Sequence, residues 1–171
     1  IFVYLWNNHK SILMNKIIFS LIFGILISSC SSNNPKEIPN EVIVIVELIK
    51  NEGKSAEELK KFTKRYSDYV KNREPNTLGW TYHDAGDKII LIERYKDEDA
   101  NIITAKNISP GGNRYKLLQE SFNYHSLNKV TVIGGFTKKL IDFNKMTAEK
   151  VGFTAPFVYY PLISGYSKNL K

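Results

Sequence analysis

The order of secondary-structure signals after residue 40 restricts the fold more than any other feature of this chain. A nearly unbroken β-branched run from Val42 to Ile49 predicts a central strand, buried on both faces. A capping box, Ser55 to Glu58, predicts the start of an amphipathic helix. Two β-rich runs follow, Thr77–His83 and Lys88–Tyr95. With a second helix and a further strand, the order predicts a ferredoxin-like split βαβ α+β domain with an antiparallel sheet.

The remaining signals complete this plan. The acids of Asp97–Asp99 predict a second helix start, and a further helical stretch runs from Asn113 to Phe122. Val130–Ile133 predicts a strand, and Thr137 is suited to cap a last helix. The aromatic tail from Phe153 to Tyr166 contains two prolines, so we expect an edge strand or a packed arm.

The two β-rich runs should pair as a hairpin around the turn composition of residues 84–87. If Asp84 opposes Asp87, Trp80 lies across from Leu91. Side-chain alternation then assigns four polar or aromatic candidates to one face: Trp80, Tyr82, Glu93 and Tyr95. The same alternation assigns His83 to the other face.

The segment from Met14 to Cys30 predicts export with a lipid anchor. Lys16 precedes an apolar core, Ile17–Ile27, and small residues precede the cysteine, which is typical of a bacterial lipobox. The core has about half of the roughly 20 residues that span a bilayer. We therefore expect residues 1–29 to be upstream sequence and signal peptide, residues 30–40 a tether lipidated at Cys30, and residues 41–171 the folded domain. The expected location is the cell envelope, with Cys30 attached to the membrane.

Composition excludes several kinds of site. The chain has a net charge of +7, but an exported, lipid-tethered protein rarely meets nucleic acid, so we expect no nucleic-acid partner. Cys30 is the only cysteine, which leaves none for a disulfide or a thiolate metal site in the domain. His83 and His125 are the histidines after it, without ligand spacing, so no metal site is predicted.

Two segments, Glu74–Trp80 and Ile89–Ala100, closely resemble the antibiotic biosynthesis monooxygenase (ABM) domain. That family usually has a Glu-Pro-Gly-Thr turn, a strand ending in Glu-x-Tyr or Glu-x-Trp, and a helix that opens with acids and alanine. The resemblance spans about residues 42–136. It implies a dimeric α+β barrel, in which two sheets pack face to face and each encloses a pocket between sheet and helices. Members include cofactor-free oxygenases of quinols and polyphenols, and haem-degrading enzymes.

One departure from the family pattern bears on chemistry. Many members carry a histidine on the helix after the third strand, where alignment gives Thr104 here. Threonine neither ligates haem as imidazole does nor acts as a base near neutral pH. The first strand, residues 42–46, also lacks the polar residue used by haem-degrading members. The sequence therefore disfavours haem degradation and implies no cofactor.

Trp80 and His83 are the candidate catalytic residues. An indole at position 80 would stack on an aromatic ligand and donate to its carbonyl, although a core tryptophan is the competing interpretation. Histidine at position 83 is the residue type suited to a base that deprotonates a dihydroxyaromatic, but an exposed histidine beside a turn is common. His125 is interpreted as a cation at a helix end.

Tyr82, Glu93 and Tyr95 are the candidate substrate-binding residues, with a structural hydrogen bond as the alternative role of Glu93. Two hypotheses follow. The first is a cofactor-independent monooxygenase of a quinol or related small aromatic, acting as a homodimer. The second is a non-catalytic binding or interaction module of the same fold, which Thr104 favours. A cavity where Trp80 meets an ionisable group would support the enzyme, and a filled interior the module.

Overall fold

The computed structural model describes residues 40–165, and the predictions for residues 1–39, including lipidation of Cys30, lie outside them. This part of the chain forms five strands and four helices, in the order β1 Val42–Lys50, α1 Ala56–Arg73, β2 Thr77–Ala85, β3 Lys88–Tyr95, α2 Glu98–Ile108, α3 Tyr115–Ser121, β4 His125–Gly134, α4 Lys138–Val151 and β5 Phe157–Pro161. Across residues 40–165, no helix combines the length and apolar character needed to cross a membrane.

The sheet has the strand order β2-β3-β1-β4-β5. The first four strands pair antiparallel with β1 in the centre, which confirms the predicted ferredoxin-like α+β plan. β5 lies at the edge, as one of the two interpretations of the tail expected, but it runs parallel to β4. The sheet is therefore mixed, because the chain returns through α4 before it enters β5.

Side-chain caps define the helix starts that the sequence predicted. Ser55 Oγ accepts from the Glu58 amide at 3.2 Å, and Glu58 accepts from the Ser55 amide at 2.9 Å, so the capping box is present. The Asp97 carboxylate accepts from the Ala100 amide at 2.8 Å at the start of α2. Thr137 caps α4. These caps could be predicted from the sequence because each involves only residues within one helical turn.

The two faces of the sheet differ in how they are covered. On β1, Val42, Val44, Val46 and Leu48 are buried in the core, together with residues of α2 and α4. On the other side of the three central strands, five isoleucines are only half-buried: Ile43, Ile45, Ile90, Ile92 and Ile133. Ion pairs lie at the ends of the same side, where Glu47 approaches Lys88 and Lys129, and Arg94 pairs with Glu41. β1 is central as predicted, but in the single chain only its helix-facing side is fully buried. The other side, called here the open face, has an apolar patch in its middle.

The hairpin register differs from the predicted one by two residues. Trp80 pairs with Glu93 instead of Leu91, and Ala85 pairs with Lys88 across a two-residue turn. Gly86 has φ 83°, the left-handed region, which lets β2 continue up to the turn. Because a shift of two preserves the alternation, each side chain keeps the face assigned to it from the sequence.

Candidate functional site

A cavity of about 120 Å³ lies between the helix-facing side of the sheet and helices α2, α3 and α4. For comparison, an engineered apolar cavity of about 150 Å³ binds benzene. Most of the wall is aliphatic or aromatic, including Val46, Leu91, Ala105, Leu118 and Val132. A small aromatic ligand therefore fits the size and character of this cavity.

Polar side chains are concentrated where β2 and β3 meet α2. The five that line the cavity there are Trp80, Glu93, Asn101, Thr104 and Arg114. The Arg114 side chain is only 1% exposed, and its guanidinium carbon lies 4.9 Å from the Trp80 ring centre and 5.4 Å from that of Tyr66. A fully buried cation over two aromatic rings is a strong local electrostatic feature.

Glu74 fixes the position of Arg114 and is itself held by α2. It accepts from Thr104 Oγ1 at 2.6 Å and from Asn107 Nδ2 at 3.2 Å, and Arg114 Nη1 approaches it to 3.4 Å. Glu74 is the C-cap residue of α1 and is 5% exposed, so it requires such partners. Thr104 is thus a structural donor here.

Glu93 is the ionisable group of the cavity that titrates near neutrality. Burial raises its pKa to about 7, although the hydrogen bond from Tyr95 and the charge of Arg114 both oppose the rise. The Tyr95 hydroxyl donates to Glu93 Oε2 at 2.5 Å. A carboxylate with a pKa near the working pH and a fixed orientation is suited to general-base catalysis.

Several buried polar atoms around the cavity have no hydrogen-bond partner within the described residues. They are Trp80 Nε1, Asn101 Oδ1, and Nε and Nη1 of Arg114, whose approach to Glu74 is not aligned for a hydrogen bond. Leaving buried polar groups unpaired costs free energy, and most native proteins avoid it. Three of these atoms donate, so the set matches a ligand with an acceptor oxygen.

His125 also lines the cavity, and the helix-end cation predicted for it is wrong. It is the first residue of β4, which begins five residues before the predicted strand. It is 5% exposed, and neither ring nitrogen has a hydrogen-bond partner among residues 40–165. Burial lowers its pKa to about 4, so the imidazole is neutral. A register irregularity opposite Glu47 and Leu48 interrupts the alternation of β4 and hides this start from the sequence pattern.

The structure brings some of the predicted site residues together and separates others. Trp80, Tyr82 and Glu93 line the cavity. Tyr95 is fully buried and does not line it, but holds Glu93. His83 lies on the opposite face of β2, exposed, with Nε2 3.0 Å from Thr81 Oγ1. The expectation that His83 is the base is therefore corrected, since strand alternation directs it away from the cavity.

Trp80 contacts the cavity in a different way from the one predicted. The ring of Tyr66 stacks on it, with centres 5.5 Å apart and planes at 15°. One face of the indole is thus occupied, and its unpaired N–H is the group left for a ligand. Sequence reasoning passed over Arg114, which lies between α2 and α3 without any motif to mark it.

Comparison with known proteins supports the fold. No family model matches this chain, and no curated protein matches it. Among solved structures, the crystal structure of MupZ from Pseudomonas fluorescens is similar, with a TM-score of 0.57 and 18% identity. The match covers 76% of this chain and 96% of that chain. At this identity the likeness shows a shared α+β fold and carries no function.

Proposed function

We propose that the protein is a cofactor-independent monooxygenase that acts on a quinol or related small aromatic, as the resemblance to ABM domains implies. One observation carries the proposal: the carboxyl of Glu93, with a pKa of about 7, and the unpaired donors of Trp80 and Arg114 face one mostly apolar cavity. Glu93 replaces His83 as the base in this proposal.

The chemistry begins with proton transfer. Glu93 accepts a phenolic proton, and the phenolate oxygen then accepts hydrogen bonds from Trp80 and Arg114. The phenolate gives one electron to dioxygen, and the resulting phenoxyl radical and superoxide join through a new C–O bond. The peroxide then takes the proton back from Glu93, the O–O bond breaks, and the same ring carbon loses its hydrogen as a proton to the leaving hydroxide, so that a carbonyl and one water molecule form. In total, a hydroquinone and dioxygen yield a hydroxyquinone and water.

The charges around the cavity suit this proton transfer. Arg114 lies beside two carboxylates, Glu74 and Glu93, so the empty cavity with ionised Glu93 carries a net negative charge. When the substrate proton moves to Glu93, the negative charge passes from the Glu93 carboxylate to the phenolate. The total charge of the cavity does not change. Arg114 then faces an oxyanion in a medium of low dielectric constant, where its attraction is stronger than in water.

Oxygen uptake with a panel of hydroquinones tests the proposal. We expect uptake with the purified protein and a loss of at least a hundredfold in Glu93→Gln, which keeps the shape and the acceptor for Tyr95. His83→Ala should retain the rate, because His83 faces away from the cavity. Absence of uptake across the panel would reject the enzyme.

The second candidate is a non-catalytic binding module of the same fold. Thr104 favours it, because the position of the family's histidine is taken up by a hydrogen bond to Glu74. A module would bind the same small aromatics in the cavity, yet the bound hydroquinone would react with dioxygen no faster than free hydroquinone. Binding without acceleration therefore separates the two candidates.

The partners belong to the same proposal. We propose that two copies pack their open faces together, as the resemblance implies. The apolar side chains there, Ile43, Ile45, Ile90 and Ile92, support this, because a water-exposed patch of this kind marks an interface.

We also propose that lipidated Cys30 holds the protein at the membrane of the cell envelope. Cys30→Ser should release it into the soluble fraction.

A further inference from the structure

The part of the cavity wall around Arg114 has more buried hydrogen-bond donors than the described residues use. Nε and Nη1 of Arg114 and Nε1 of Trp80 are buried and have no hydrogen-bond partner among residues 40–165. The Arg114 side chain is only 1% exposed, so bulk water does not replace the missing acceptors. Three N–H groups without acceptors, two of them on a fixed cation, form a donor set that suits an anion.

Asn101 is another unpaired side chain in this part of the wall, and its amide can adapt to an anion. Its Oδ1 is buried without a partner within the described residues, and in this orientation the oxygen would repel a negative charge. A half turn of the amide plane exchanges oxygen and nitrogen and presents two donors instead. Glu74 and Glu93 are then the groups that oppose an anion there.

The volume of the cavity favours a small ion. It is about 120 Å³, whereas an engineered apolar cavity of about 150 Å³ binds benzene. Formate has half as many heavy atoms as benzene, so it fits within this volume. Apolar side chains of the wall, such as Val46, Leu91 and Val132, offer an anion no hydrogen bond. A small anion is therefore stabilised only beside the unpaired donors.

The charge of Glu93 decides whether an anion is admitted. Nη1 of Arg114 lies 3.4 Å from the Glu74 carboxylate, so one positive charge already faces two negative ones when Glu93 is ionised. A further negative charge would be repelled in a medium of low dielectric constant. Protonation of Glu93 removes one of these charges and turns its hydroxyl into an additional donor. The anion and the proton therefore favour each other's binding.

The tyrosines around Glu93 and the histidine of the cavity keep one charge state near neutral pH. Burial raises the pKa of Tyr66, on α1, to about 12. It also raises the pKa of Tyr82, on β2, and of Tyr95, on β3. Burial lowers the pKa of His125 to about 4. A change of anion affinity around pH 7 would thus report on Glu93.

We infer that the cavity holds a small monovalent oxyanion, such as formate, on the unpaired donors of Arg114 and Trp80, and that Glu93 takes up one proton as the anion binds. By linkage, the anion strengthens proton binding by the same factor as the proton strengthens anion binding. The anion occupies the place that the proposed function gives to the phenolate. It should therefore compete with that substrate, and this competition alone rests on the proposed function.

Calorimetry with sodium formate between about pH 5.5 and 8.5 tests the site, at an ionic strength kept constant with gluconate, which is too large for the cavity. Formate stays ionised over this range. Its affinity should be constant below the pKa of Glu93, about 7, and fall about tenfold per pH unit above it. Titrations in buffers of different ionisation enthalpy should show uptake of nearly one proton at the upper limit. Absence of binding, or an affinity independent of pH, would overturn the inference.

Formamide, the neutral isostere of formate, is the matched control ligand. Its affinity should not change with pH, because it brings no charge to the cavity. Glu93→Gln is neutral at every pH, so it should bind formate above pH 7 as tightly as the parent protein does below it, without proton uptake. A variant that still loses affinity with rising pH would contradict the role of Glu93.

The donors are tested by one substitution each. Trp80→Phe keeps a ring for Tyr66 to stack on but lacks the N–H, and should bind formate at least tenfold more weakly. If this variant does not fold, Arg114→Lys keeps the charge and removes both unpaired guanidinium donors, with the same expected loss. Lys116→Gln removes an exposed cation from α3 and should match the parent protein. Equal losses in Trp80→Phe and Lys116→Gln would indicate binding at the surface and reject the site.

The anion site and the monooxygenase fail separately. Formate binding with proton uptake, but no oxygen uptake with any hydroquinone, supports the site and rejects the enzyme. Oxygen uptake without formate binding supports the enzyme and overturns the inference. If both are observed, formate should raise the KM for hydroquinone and leave kcat unchanged. Inhibition that lowers kcat at constant KM would place the anion elsewhere and overturn the inference.

Discussion

Glu93 and Trp80 lie directly opposite each other on β3 and β2, on the side of the sheet that the helices cover. A carboxyl with a pKa of about 7 is thereby set beside an unpaired indole donor, with the guanidinium of Arg114 4.9 Å from the indole ring. The pair unites the two things that deprotonation of a phenol requires, a base for the proton and donors for the oxyanion.

Glu93→Gln should change how the free energy of unfolding depends on pH. The pKa of Glu93 rises from 4.5 to about 7 on folding, so its contribution to stability is complete below pH 4.5 and is lost as the pH rises through 7. The loss amounts to about 3 kcal/mol. The variant should lack it, which urea unfolding between pH 4 and 8 measures. A variant whose pH dependence equals that of the parent protein would contradict this assignment.

His125→Phe should have the opposite effect on the same curve. Folding lowers the pKa of His125 from 6.5 to about 4, so stability is complete above pH 6.5 and falls as the pH drops toward 4. This loss is also about 3 kcal/mol. In the parent protein the two groups oppose each other, and its curve should be comparatively flat. The free energy of unfolding of His125→Phe should therefore decrease as the pH rises. If that of the variant instead decreased as the pH falls, the account would be refuted.

Thr104→Val should destabilise the fold through Glu74. The substitution keeps the side-chain volume but removes the 2.6 Å hydrogen bond to a buried carboxylate, at a cost of about 1 to 3 kcal/mol. Thr63→Val on α1, whose hydroxyl bonds only to the carbonyl of Lys60 in the preceding turn, is the matched control and should cost less. Thermal unfolding compares the two. Equal stability of both variants would show that Glu74 does not depend on Thr104.

Ile45→Lys should separate the proposed homodimer into single chains. Ile45 lies at the centre of the open face on the central strand, where a buried lysine would face the apolar surface of the second copy. Asn72→Lys, on the exposed side of α1, is the control. Sedimentation velocity should show a dimer for the parent protein and the control and a monomer for Ile45→Lys. A monomeric parent protein would reject the dimer.

The fold was largely predictable because its signals are local. Capping at Ser55, Asp97 and Thr137 and the β-branched run of β1 each depend on a few neighbouring residues. The hairpin register was missed by two residues, since composition alone does not show that Gly86 and Asp87 form the whole turn. Each side chain was still assigned to the correct face of the sheet, because side-chain alternation has a period of two residues and the error was a shift of two.

The site was predictable only in part, for a physical reason. Trp80 and Glu93 were found because they lie in two strands whose alternation assigns both side chains to one face. Arg114 and His125 owe their importance to burial and to unpaired atoms, which arise from packing between elements far apart in the chain. His83 was misassigned because a residue type suited to a base was weighted above the strand alternation that directs it away.

The pH profile of oxygen uptake with a hydroquinone tests the central claim most directly. If Glu93 is the base, the rate should rise with pH through an apparent pKa near 7, Glu93→Gln should lose this rise together with the activity, and His83→Ala should follow the parent protein. A profile that His83→Ala alters and Glu93→Gln leaves intact would contradict the account.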